Sequence, residues 1–96
     1  MAKLIEVVDS TNPKKRYTAI FDIDGRQKKV HFGDPNMESY ILHHDKERRA
    51  NYRSRHENDL RTNDPMRPGF LSYYLLWGKS RSLDKNIATY KKLFAL

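Results

Sequence analysis

The sequence predicts an α+β domain: a three-stranded antiparallel meander followed by two or three short helices. Three observations predict it. Apolar and polar residues alternate through the first third of the chain. An Asp24-Gly25 pair separates two of the alternating runs. From Asp45 onward the apolar spacing becomes helical.

"KLIEVV" (3–8) is rich in β-branched residues and reads as the first strand. "DSTNP" (9–13) is a cluster of turn formers. "KKRYTAIFDI" (14–23) reads as the second strand, with Tyr17, Ala19 and Phe21 on one face and Thr18, Ile20 and Asp22 on the other. Asp24-Gly25 is a hairpin signal, because a tight primed turn needs positive φ and glycine adopts it at little cost. "RQKKVHFG" (26–33) is the return strand, with Lys28, Val30 and Phe32 on one side and Lys29 and His31 on the other. A sheet this small needs helices over its apolar face.

"MESYILHH" (37–44) reads as an irregular link with at most one helical turn. A basic helix is expected over 45–59, capped by Asp45 and with Glu47 in its first turn. It holds few aliphatic residues, so it is expected to be mostly solvated or to lie on a polar partner. "LRTNDPMRPG" (60–69) reads as loop. Residues 69–94 read as a helical hairpin. In its first arm Phe70, Tyr73, Tyr74 and Trp77 share a face and Gly78 ends the helix. In its second arm, capped by Ser82, Leu83, Ile87, Tyr90 and Phe94 face inward. All 96 residues are expected to form one domain, with 1–33 as the meander.

A chain this short buries roughly 60–65% of its unfolded surface, so modest stability is expected. Charged residues make up 32% of it and aromatics 11%. That is polar for a globular domain, yet too aromatic for simple disorder. The absence of cysteine excludes disulfides, zinc knuckles and thiol catalysis. No apolar run approaches the ~20 residues that span a bilayer, and the start of the chain does not read as a secretory leader. The mature protein is therefore expected to be the whole chain, made and used inside a cell. A net charge of +7 points to an anionic partner: nucleic acid, an acidic protein surface or a membrane face.

Catalytic and metal chemistry find little support. His31, His43, His44 and His56 match no zinc-ligand spacing, and hydrogen-bonded structural histidines account for them as well. A ββα-metal nuclease would need His31 as base and Asn51 and His56 as partners, but the last two lie on different helical faces. No serine sits in a nucleophile elbow and no glycine-rich phosphate loop is present. No catalytic residue, metal, cofactor or small-molecule substrate is expected.

The basic residues carry the expected contacts with a partner: Lys14, Lys15 and Arg16, Lys28 and Lys29, and Arg49 and Arg53. With Tyr17, Phe32 and Tyr52 interleaved, single-stranded nucleic acid would have rings to stack on. Against this, Asp45, Glu47, Glu57 and Asp59 bracket the arginines, so internal pairing is the other reading. Trp77 reads as core, with an exposed anchor as the alternative. Strand 3–8 leaves an exposed edge open to another chain's sheet.

Taken in order, "HFG" (31–33), Tyr40, "HHDKERRANYRSRH" (43–56), Pro68-Gly69 and "LLWGKSRSLDKNI" (75–87) resemble a family of small basic proteins of large double-stranded DNA viruses, giant viruses included, with relatives in some phages. The shared pattern is a hairpin ending in H-F-G, then D-x-x-R-x-x-Y-x-x-R-H, then L-W-x-K and a closing helix. His31, Phe32, Gly33, Asp45, Arg48, Tyr52, Arg55, His56 and Trp77 match it, with Tyr52 falling four residues after Arg48. The resemblance covers about residues 14–94 and leaves the first strand outside. It implies a non-enzymatic virion component, a minor capsid protein that cements other capsid proteins, made in the host cytoplasm. The alternative is a nucleic-acid-binding protein associated with the viral genome. On this reading His31 reaches across to the arginine helix, and Asp45, Arg48, Arg55 and His56 form a polar network holding that helix to the sheet.

Overall fold

The computed structural model describes residues 2–36 and 38–96. Three strands, β1 (Ala2–Asp9), β2 (Tyr17–Ile23) and β3 (Arg26–Phe32), form an antiparallel sheet in the order β1-β2-β3. Asp24 and Gly25 both take positive φ (53° and 88°), the backbone of a primed hairpin turn, and the Asp22 carboxylate accepts a hydrogen bond from the Gly25 amide at 2.9 Å. The first strand is less regular. Leu4 pairs with Phe21 but Glu6 pairs with Ile20, so Ile5 is an extra residue in a bulge. The bulge lets Leu4 and Val7, three residues apart, both reach the core cluster with Ala19, Phe21, Val30 and Phe32. On the open side of β1, the Leu4 amide donates to the Leu96 carbonyl at 3.1 Å.

Helix α1 (Tyr40–His43) is a single turn inside the link; Met37 lies outside the described residues. Helix α2 (Lys46–His56) starts at Asp45, whose side chain accepts from the amides of Glu47 and Arg48. This satisfies donors that every helix start leaves open. It continues as a 3₁₀ segment (Glu57–Thr62), so helical structure extends into the stretch that reads as loop. Helix α3 (Pro68–Leu71) runs into a π turn (Ser72–Leu76), and α4 (Leu83–Leu93) follows a Ser82 cap. Phe70, Tyr74, Tyr90 and Phe94 pack ring against ring between these last elements, with centroids 4.8 to 5.9 Å apart. The Tyr90 hydroxyl donates to the Pro65 carbonyl, and burial pushes its pKa far above the usual phenol range. No helix among the described residues is long and apolar enough to cross a membrane.

Candidate functional site

Alternation along β3 fixes the fate of the H-F-G residues. Phe32 points into the core with no exposed surface. Gly33, at φ +86°, turns the chain so tightly that a Cβ there would press on Leu76 and the Arg16 side chain. His31 points to the opposite side of the sheet from Phe32, so it cannot reach the arginine helix. Its Nδ1 instead lies 2.7 Å from the Thr18 hydroxyl and 3.0 Å from that of Ser10. The network expected among Asp45, Arg48, Arg55 and His56 does not form either. Asp45 caps its own helix, His56 meets Asp59 at 3.1 Å, and Arg48 and Arg55 are exposed.

The residues that hold α2 are Arg49 and Arg53, which the sequence assigns to a partner. In the π turn the Trp77 amide bonds the Ser72 carbonyl, five residues back, so the Tyr73 carbonyl loses its usual helical partner. Arg53 Nη1 donates to that carbonyl at 3.3 Å and to the Trp77 carbonyl at 2.8 Å. Its guanidinium lies 4.0 Å from the Tyr73 ring centroid. Arg49 Nε donates to the Gly78 carbonyl at 2.6 Å, and burial together with the Arg53 charge lowers its pKa. A guanidinium at the end of a helix also opposes the negative end of its dipole. The same end is closed from the other side by Asn86, buried on α4. Its amide nitrogen donates to the Leu75 and Ser80 carbonyls at 2.9 and 2.8 Å, and its oxygen accepts from the Ser80 amide. A Cβ at Gly78 would overlap the Tyr74 carbonyl and the Asn86 side chain.

Four rings join α1, α2 and the π turn in one pile. His43 lies 5.2 Å from Trp77, Trp77 stacks on Tyr52 at 4.2 Å and 6°, and Tyr52 stacks on His56 at 4.1 Å. Tyr52, His56 and Trp77 therefore come together as packing. Burial and the Asp59 charge raise the Tyr52 phenol, which hydrogen-bonds Ser72. His43 Nδ1 accepts from the Asp45 amide at 2.9 Å, which leaves the proton on Nε2, buried without a partner. Burial and the Arg48 charge hold its pKa below the usual histidine value.

Lys14 and Lys15 reach a cleft of about 500 Å³, whose walls also include Gly33, Tyr52, His56 and Asp59. Asp34 and Asp59 balance the two lysines there. His56 is oriented by Asp59, and Ser72 lines the same cleft with its hydroxyl hydrogen-bonded to Tyr52. Arg16, also assigned to a partner, donates to the Pro35 carbonyl and braces the same loop. Lys28 and Lys29 stand exposed on β3. Among the described residues no three His, Asp or Glu side chains gather as a metal site.

Two sequence readings fail here. Phe32 and Tyr52 are core, so they offer no platform for single-stranded bases. Nor are the arginines of α2 paired by their acidic neighbours. An ion pair joins Arg67 to Asp64, a hydrogen bond joins His56 to Asp59, Asp24 is engaged as well, and no carboxylate among the described residues pairs with Arg48, Arg49, Arg53 or Arg55.

One family model matches the chain, over residues 5–56, which takes in most of β1 and ends on the last residue of α2. Residues 5–9 of the first strand, which the resemblance described above leaves out, thus lie inside the matched region. No curated protein and no solved structure matches the chain. The matched span is just over half of the sequence, and the chain belongs to this family, a family of unknown function (DUF5754).

Proposed function

We propose that the protein is a non-enzymatic virion component, a minor capsid protein whose basic exterior holds neighbouring capsid subunits through their acidic surfaces. The observation that carries this reading is the unpaired charge. The chain has 19 lysines and arginines against 12 acids, and Lys28 and Lys29 stand exposed on β3, with no carboxylate paired to them among the described residues. Charge left unpaired on a small rigid domain is available to an anionic neighbour. In the cleft lined by His56, Asp59 and Ser72, the Ser72 hydroxyl is engaged by Tyr52. The placement in the virion comes from the H-F-G, D-x-x-R and L-W-x-K resemblance, and the host cytoplasm is then where the protein is made.

Purified, nuclease-treated particles test the proposal by quantitative mass spectrometry. Many copies per particle are expected, retained after the nucleic acid has been digested. A protein found only in infected cells, or lost with the genome, overturns it.

A second reading, a protein that binds the genome, is favoured by one observation. The outward face of α2 presents Arg48, Asn51 and Arg55 together, with no acidic residue between them on that face.

A further inference from the structure

We infer that the outward face of α2 is a docking surface for the phosphate backbone and groove edges of duplex DNA; this inference rests on the second reading above. Its starting point is a division of labour within one helix. Arg49 and Arg53 are spent on the carbonyls of Tyr73, Trp77 and Gly78. Arg48 and Arg55, seven residues apart and so about 10 Å along the axis, share the other face. Both are exposed, with Asn51 and Ser54 between them. These four side chains and the edge of Trp77 line a shallow depression of about 430 Å³ that contains no acid.

The lining selects the class of partner. Two guanidinium forks without carboxylates call for phosphate or carboxylate oxygens. A protein partner would also need an apolar anchor to bury. Among the described residues the large exposed apolar ones are Ile5, Val8, Leu42 and Leu93, and none is on α2. Single-stranded nucleic acid would need an open ring face to stack on. Trp77 is almost wholly buried, with Tyr52 stacked on it. What remains is a straight polar helix offering arginine, asparagine and serine, the side chains that contact phosphates and base edges of a duplex. The major groove of B-form DNA admits a helix, whereas that of duplex RNA does not.

Fluorescence anisotropy with a labelled DNA duplex, followed across a salt titration, tests this. R48Q/R55Q is compared with K91Q/K92Q, which removes the same net charge from exposed positions on α4. The expected result is about tenfold weaker binding for R48Q/R55Q at one salt concentration, with the salt slope reduced by about 2, and a clearly smaller change for K91Q/K92Q. Both variants should keep the parent melting temperature. Equal losses in the two variants would remove the assignment to α2 and leave general binding of the genome standing. No binding to DNA by the parent protein at about 50 mM salt would end both. Tighter binding to polyglutamate than to the duplex, abolished by R48Q/R55Q, would make the face a protein site and overturn the inference. Equal affinity for duplex RNA would remove the groove argument and overturn its assignment to DNA.

Discussion

The sheet and the helical layer of this protein are stabilised by different means. Apart from the bulge at Ile5, the sheet follows regular rules: alternating side chains, a primed turn, and backbone ladders between its strands. The helical layer breaks its own regularity at the π turn and repairs the break with side chains. Arg49, Arg53 and Asn86 converge on carbonyls that a longer helix would have bonded within itself. Damage to the sheet is thus expected to scale with lost apolar burial. Damage to the helical layer is expected to scale with the number of polar groups left orphaned.

The sharpest way to break this contrast is Asn86→Ala. It strips partners from the Leu75 and Ser80 carbonyls and the Ser80 amide, so urea unfolding should show a loss of about 3 kcal/mol, large for so small a deletion. A loss below about 1 kcal/mol would mean that the loop after Gly78 repairs itself.

Next in size, the two faces of α2 should respond differently to the same change. Arg53→Met should cost about 2 kcal/mol, because it leaves the Tyr73 and Trp77 carbonyls without their charged donor. Arg55→Met, on the exposed face, should stay within about 0.5 kcal/mol of the parent. Equal effects in thermal melts would erase the distinction between the faces.

The smallest effect concerns pH. The pKa of His43 is lowered in the fold by burial first and by Arg48 next, with Asp45 and Glu38 opposing and His44 assisting. Below the ordinary histidine value near 6.5 the unfolded chain therefore binds more protons than the folded one. Stability from this site is complete above that pH and declines as pH falls through it toward the folded-state pKa. Melting temperatures for His43→Phe should be flatter than the parent's between about pH 6.5 and 5, and parallel curves would discount the site.

The difference between the layers also decides what could be read beforehand. Period-two alternation and Asp24-Gly25 place β2 and β3 because each residue's environment depends on its own strand. The same rule put His31 on the far side from Phe32, and a tie from His31 to the helix conflicted with it from the outset. The bulge at Ile5 was not legible, since an extra residue in a β-branched run leaves no mark of its own.

In α2, searching for aliphatic residues hid the buried stripe. Positions 49, 52, 53 and 56 have the i, i+3, i+4, i+7 spacing of an inward face once arginine stems and histidine rings count as packing surface. Arg48 and Arg55, chosen by motif, fall outside that stripe. Asn86 carried a signal too, as a polar residue among Leu83, Ile87 and Tyr90 on the inward face of α4. The π turn that gives these side chains their partners is a tertiary outcome, and no local pattern announces it.

The irregular rim of β1 has a consequence for how copies of this protein meet. A strand arriving from another molecule would find one amide already engaged by Leu96 and, at the next residue, the register broken by Ile5. Polymerisation by shared sheet is discouraged at that rim.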